Sequence, residues 1–202
     1  MIIKNLIDED FVNYKKPSMF IGMPHCTFKC DKECGSNVCQ NSALAAAPTV
    51  EIDDEEIIQR YITNPVTEAI VFGGLEPFDD FNDLFAFIAD FRDYSKDDIV
   101  IYTGYYPEEI PSYLDLLSAN YKNIIIKFGR FIPNKPHRFD DVLGVELASD
   151  NQFAINITDI KANTARDLWN KMVAIQKEHL SLLEIETKSA EWYKSYGEQR
   201  DV

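Results

Sequence analysis

The chain has 202 residues, 46% of them apolar, which suits one domain, or one domain with an appendage, around a sizeable core. Its 34 acidic residues against 20 basic ones leave a net charge of −14, which argues against nucleic acid or an anionic membrane surface as the main partner. No apolar run approaches a membrane span and no signal peptide precedes the cysteines, so a soluble, cytoplasmic protein in a reducing compartment is expected.

Residues 1–17 are mixed; Ile2, Ile3, Leu6 and Ile7 suit an edge strand or a packed arm, closed by Pro17. Met19 to Met23 reads as a buried strand that delivers the chain to a cysteine-rich loop over 24–41. All four cysteines, Cys26, Cys30, Cys34 and Cys39, lie there among loop-forming residues such as Asp31, Gly35 and Asn37. Ser42 to Ala47 suits one helical turn stopped by Pro48. Asp53 reads as an N-cap with Glu56 three residues on, opening a helix to about Tyr61 or Ile62 that turns Ile57, Ile58, Tyr61 and Ile62 to one side.

Three apolar runs follow, alternating with helical patterns: Ala69 to Phe72 before Gly73-Gly74, Ile99 to Tyr102 before Thr103-Gly104, and Ile124 to Ile126 before Lys127, Phe128 and Gly129. Continuous Val/Ile runs suit strands covered on both faces, and the alternation predicts an α/β fold of right-handed crossover units. The helices are expected over Asp80 to Phe91 and from Pro107, with Ile110, Tyr113, Leu114, Leu116 and Leu117 on the apolar side of the second. Residues 142–148 and 152–157 read as two antiparallel strands joined at Ser149, Asp150 and Asn151. From about Thr164 a long helix is expected, carrying Leu168, Trp169, Met172, Ile175, His179, Leu180 and Leu183.

The four thiols admit three readings. Disulfides suit an oxidising compartment. Structural zinc usually takes Cys-x2-Cys pairs, whereas the gaps here are three, three and four residues. An iron–sulfur cluster takes thiolates as its usual ligands and is the favoured reading. Other candidates have plainer roles beside their functional ones. Gly73-Gly74 and Thr103-Gly104, taken alone, are turns. His25 reads as a loop histidine, and Glu76 could cap a helix near Asp79. Lys127 and Arg130 suit a substrate carboxylate or an adenine edge, or plain solvated surface.

Read together, these stretches resemble the radical S-adenosylmethionine superfamily, and more closely the small activating enzymes of class III, anaerobic, ribonucleotide reductase. The resemblance runs from about residue 7 to about residue 157. Residues Ile7 to Asn13 resemble the family's lead-in, and Met19 to Cys26 its first strand and ligand. Phe72-Gly73-Gly74-Leu75-Glu76-Pro77 resembles its Ser-Gly-Gly-Asp/Glu-Pro stretch, either with Leu75 inserted or with Gly74 and Leu75 in the glycine places. Asp98 to Tyr105 matches its strand and Thr-Gly-Tyr turn. Asn123 to Phe131 and Gly144 to Gln152 resemble its Gly-basic-Phe turn and Ser-Asn-Gln end.

The family pattern is Cys-x3-Cys-x2-Cys. Eight residues separate Cys30 from Cys39 where that pattern has two, and Cys39-Gln40-Asn41-Ser42 looks like the family's stretch after its last ligand. The resemblance therefore implies Cys26, Cys30 and Cys39 as ligands of a [4Fe–4S] cluster, with Cys34 the alternative third ligand or a free thiol.

It also implies a partial, open βα barrel over 1–160, with a C-terminal helical extension over 161–202 beyond the family domain. S-adenosyl-L-methionine would be held by Gly73, Gly74, Glu76, Thr103 and Gly104, with no side chain singled out as catalytic. The implied activity is reductive cleavage of S-adenosylmethionine to a 5′-deoxyadenosyl radical. The implied partners are a glycyl-radical protein (the anaerobic ribonucleotide reductase large subunit or similar) and an electron donor such as flavodoxin. The alternatives are a radical enzyme acting on a small molecule or peptide, and a non-catalytic iron–sulfur or zinc module.

Overall fold

The structure is a computed structural model that describes residues 1–160, 167 and 170–182. In chain order its elements are β1 (Ile2–Ile3), β2 (Asn5–Asp10), β3 (Ser18–Gly22), α1 (Lys29–Cys34), α2 (Ser42–Ala46), β4 (Val50–Glu51), α3 (Asp54–Thr63) and β5 (Ala69–Gly73). They continue as α4 (Phe81–Arg92), β6 (Asp98–Tyr102), α5 (Pro111–Asn120), β7 (Ile124–Phe128), β8 (Arg138–Asp140), β9 (Val145–Leu147) and β10 (Phe153–Asn156). Short 3₁₀ turns at Pro77–Asp80 and Pro107–Glu109 precede α4 and α5.

Among the described residues, six strands form one open sheet in the order β10-β7-β6-β5-β3-β2. The inner four, β3, β5, β6 and β7, are parallel neighbours in chain order, and β2 and β10 pair antiparallel at the two edges. Parallel neighbours need long crossovers, and crossovers of one hand between successive neighbours put every helix on the same face. The burial pattern bears this out. Met19, Ile21, Ile70, Phe72, Ile99, Ile101, Ile124, Ile126 and Phe128 face the larger core, with the buried residues of α3, α4 and α5. The alternate positions Ala69, Val71, Val100 and Ile125 face a smaller cluster made with Tyr14, Leu143, Leu147 and Ala154. Aromatic side chains do much of the filling on the helical side: Phe72 meets Phe87 edge-on with ring centroids 5.5 Å apart.

The α/β class and the three apolar runs are as expected, and Val71, Ile101 and Ile125 are all buried. Other expectations are corrected. The expected partial, open βα barrel is not shown as such: among the described residues the sheet is open and mixed. The stretch over 142–157 does not form its own hairpin. Val145–Leu147 pairs with Arg138–Asp140, and Phe153–Asn156 adds to the main sheet beside β7, where Phe153, Ala154 and Ile155 are buried. Ile62 and Leu116 point to solvent, one position past the apolar stripe of their helices. Pro107 opens a 3₁₀ turn, and α5 starts at a second proline, Pro111. Asp53 does cap α3, through the Glu55 N–H. Residues 170–182 are helical and Met172 is buried in the larger core. Apart from Asp167, the other positions of the expected extension, with Leu168, Trp169 and Leu183, lie outside the described residues.

Candidate metal centre

The parallel register brings four strand ends level. Gly22 pairs with Gly73, Phe72 with Ile101, and Tyr102 with Lys127. The turns leaving β3, β5, β6 and β7 therefore meet at one edge of the sheet, the carboxyl edge, where α/β folds bind ligands. The cysteine loop is one of those turns, and it is less irregular than its composition suggests. Residues Lys29–Cys34 form a short helix, which starts after Phe28 in a left-handed conformation and ends at left-handed Gly35. Cys26, Cys30 and Cys39 are partly buried, and Cys34 is exposed.

Gly73 ends β5, and its carbonyl accepts the Met23 N–H at 2.9 Å, which ties the cysteine-bearing turn to the glycine turn. Gly74 has φ +77°, and a Cβ there would stand 2.5 Å from Leu44 Cδ2. The left-handed backbone is what calls for glycine at that turn, since the tip of the half-exposed Leu44 side chain can give way.

Glu76 is 7% exposed and joins two of the turns. Its Oε1 accepts the Thr103 hydroxyl at 2.7 Å, and its Oε2 accepts the Gly104 N–H at 2.8 Å. Oε1 also accepts the Phe78 N–H at 3.2 Å, so Glu76 caps the 3₁₀ turn ahead of α4. Its carboxylate is thus engaged by the protein itself. Burial pushes that carboxyl up to about 7, against the three hydrogen bonds that favour its ionised form.

A Cβ on Gly104 would lie 3.5 Å from Glu76 Oε2, 3.7 Å from Arg130 Cγ and 3.8 Å from Cys30 Sγ. Four predicted residues from four separate stretches of chain therefore meet at one point. Lys127 and Arg130 are buried, not solvated surface. Lys127 donates to the Gly129 carbonyl at 2.8 Å, and burial pushes its ammonium down to about 8, near Glu76 and Cys30. Arg130 bridges Glu109 and Glu33 and lies over the Tyr106 ring.

Four residues that the sequence did not single out complete the edge. Asp79 accepts the Thr27 N–H and the Tyr105 hydroxyl. Glu109 pairs with both Lys29 and Arg130. Asn151 donates to Tyr106 and to the Arg130 carbonyl. Asp31 holds the chain between Cys30 and Cys39. Asn151 lies in the Ser-Asn-Gln stretch, which gave it no role of its own; Asp79, Glu109 and Asp31 stand in no spacing pattern, and Asp79 and Glu109 act through partners distant in sequence. His25 is tied to Asp80 at 2.6 Å and stays exposed.

The thiols fit a cluster. Cys26 Sγ accepts the Phe28 N–H at 3.2 Å, and the Phe131 N–H bonds to Cys30. As free thiols both are pushed up by burial, Cys26 to about 12; bound cationic iron reverses that balance. Cys30 acts electrostatically on Cys26, and Cys39 on Cys30, so the three are linked in a row. Among the described residues, no three Cys, His, Asp or Glu side chains stand close enough to share one ion. A cubane asks for a wider set, because each thiolate meets a different iron.

Comparison with curated proteins and with solved structures gives no match. The family model described as a 4Fe–4S single cluster domain matches residues 18–146, from the first residue of β3 through the cysteine turn, the glycine turn, the Thr103-Gly104 turn and β7. That span is well over half of the chain and includes every residue assembled above except Asn151. The chain therefore belongs to the 4Fe–4S single cluster domain family, an assignment that fits an iron–sulfur protein of the radical S-adenosylmethionine type.

Proposed function

We propose that the chain is a radical S-adenosylmethionine enzyme in which Cys26, Cys30 and Cys39 ligate a [4Fe–4S] cluster. When bound, the cluster supplies the electron that splits S-adenosylmethionine into methionine and a 5′-deoxyadenosyl radical. The radical's target is the glycine of a large glycyl-radical protein, such as an anaerobic ribonucleotide reductase subunit, and a flavodoxin-type protein is the electron donor. The parallel run β3-β5-β6-β7, with its turns at one edge, supports a partial, open βα barrel as the arrangement of the enzyme.

The observation that carries this reading is the Glu76 bridge. It locks the glycine turn after β5 to the Thr103-Gly104 turn after β6, with Cys30 Sγ against the same glycine. Gly73 and Gly74 leave backbone where a side chain would block a ligand's amino-acid end. Gly104 leaves the corresponding space beside Cys30. Arg130 is already paired with Glu109 and Glu33, so Lys127, whose ammonium donates to a backbone carbonyl, is the cation that suits an anionic group on the ligand. Glu76 acts here by positioning the two turns, because its oxygens already have protein partners.

The test is anaerobic reconstitution with iron and sulfide, reduction, and addition of S-adenosylmethionine. About four irons with matching sulfide per chain, and release of 5′-deoxyadenosine, are expected. A stable glycyl radical in the paramagnetic resonance spectrum is expected once the cognate subunit is added. Zinc without sulfide, or a reduced cluster that yields no 5′-deoxyadenosine, would refute the enzyme reading and leave a metal-binding module. Nucleoside without a protein radical would leave a radical enzyme acting on a small molecule or a peptide.

A further inference from the structure

The excursion between Cys30 and Cys39 hangs on one residue. Asp31 follows Cys30 directly. Its carbonyl accepts the Gly35 N–H, closing α1, and the Ser36 N–H at 3.3 Å. Its Oδ1 accepts the Val38 N–H at 2.8 Å and the Cys39 N–H at 2.9 Å. Backbone donors from both ends of the stretch 35–39 thus converge on the residue beside Cys30. The chain leaves the site at Cys30 and is returned to within one hydrogen bond of it at Cys39.

Cys34, by contrast, ends the exposed helix α1 and is itself exposed. Cys39 is partly buried, and its backbone N–H is held by the residue next to Cys30. An excursion of eight residues has no apolar anchor strong enough to fix its return, since none of the positions 31–38 is buried. Hydrogen bonds to a carboxylate are stronger than neutral ones, so a single aspartate can fix it.

We propose that Asp31 is a positioning residue that makes Cys39, and not Cys34, the third thiol of the centre. This rests on the cluster reading above, and the experiment has one arm that does not. In the apo protein, thiol alkylation is followed site by site by mass spectrometry. In Asp31→Ala, alkylation of Cys39 is expected to quicken by roughly tenfold or more, the factor set by losing a charge-assisted hydrogen bond. Cys26 and Cys34 should keep their rates, which reports that the rest of the fold is intact. Asp31→Asn retains a side-chain oxygen without the charge and should give a rate at Cys39 between the wild type and Asp31→Ala.

In the second arm, Cys34→Ala and Asp31→Ala/Cys34→Ala are reconstituted with iron and sulfide. Cys34→Ala is expected to hold the full cluster, and the double variant less than about half of the roughly four irons of a cubane. Asp31→Ala alone, with Cys34 available, should hold iron with an altered paramagnetic spectrum. An unchanged Cys39 alkylation rate in Asp31→Ala, or full iron with an unchanged spectrum in the double variant, overturns the proposal. If the wild type takes up no iron, the cluster reading fails, and the alkylation rates alone decide the role of Asp31.

Discussion

Thr103→Val tests the bridge on which the site is built. Thr103 is 2% exposed. Its hydroxyl donates to Glu76 Oε1 at 2.7 Å and accepts the Tyr105 N–H at 2.9 Å. Valine has nearly the same shape and can do neither. A buried carboxylate then lacks one of its three donors, and a backbone N–H lacks its acceptor. A buried polar group left unsatisfied costs about 1–3 kcal/mol, and water reaching the Tyr105 side offsets part of one loss, so a net cost of about 2–3 kcal/mol is expected. In a chain of this size each kcal/mol moves the melting temperature by about 2–4 °C, which gives a fall of about 4–12 °C. Thr103→Ser keeps the hydroxyl and should stay close to wild type.

The same variant carries a pH signature. The folded protein raises the Glu76 carboxyl to about 7 from an ordinary value of 4.5, so it binds that proton more tightly than the unfolded chain does. The stability from this group is fully present below the unfolded value and is lost as pH rises through the folded one. Without the Thr103 donor the carboxyl moves further up, and the loss should continue above pH 7. Melting curves of the apo protein, taken anaerobically at about pH 5 and about pH 8, read both effects. A Thr103→Val protein that melts within about 1 °C of wild type at both values would show that the Glu76–Thr103 contact does not hold the two turns together.

Three further outcomes are expected. Cys26→Ala, Cys30→Ala and Cys39→Ala should each lose the iron–sulfur signal, and Cys34→Ala should keep it; iron retained in Cys39→Ala but lost in Cys34→Ala would exchange the two. Ile101 is fully buried in the central strand β6, so Ile101→Asp should cost several kcal/mol and leave little folded protein, as read by circular dichroism of the soluble fraction. Gly74→Val combines a left-handed backbone with a Cβ 2.5 Å from Leu44, and should weaken S-adenosylmethionine binding by calorimetry while iron content stays near wild type.

The inner sheet was legible because burial on both faces leaves a mark in sequence: Ala69 to Phe72, Ile99 to Tyr102 and Ile124 to Ile126 have no polar alternation to confuse them. The position of the glycine turns at the strand ends followed from the same runs. The pairing of Phe153–Asn156 did not, because a short antiparallel strand reads alike whether its neighbour is the preceding hairpin arm or a sheet edge; tertiary burial against β7 decides it. The helix at Lys29–Cys34 was hidden by its composition, Lys-Cys-Asp-Lys-Glu-Cys, which has no apolar stripe because none of its residues is buried. Lys127 and Arg130 looked like surface, since a lone basic residue carries no sign of the carboxylates that accompany it in space. Glu76 was found by its motif, and its cap ahead of α4, through the Phe78 N–H, was among the readings of the sequence. Its bridge to Thr103 and Gly104 was not, because it depends on a register that only the folded sheet sets.

The lack of burial in α1 has a consequence for how the centre is loaded. The helix that carries Cys30 and Cys34 is attached largely through charge: Lys29 to Glu109, Glu33 to Arg130, and the Lys29 ammonium 4.1 Å from the centre of the Tyr105 ring. Such contacts respond to ionic strength, whereas the Val/Ile sheet beneath does not. At 1 M salt the screening length shrinks to about 3 Å, and pairs that are partly open to water lose most of their attraction. The segment can then swing away while the sheet stays folded, as expected of a weakly buried unit at a functional edge. Salt therefore separates two quantities that usually fall together. Iron and sulfide should enter the apo protein faster at high ionic strength, and a centre held by Cys26, Cys30 and Cys39, as proposed, would tie down both sides of the segment and be far less sensitive to salt than the empty one.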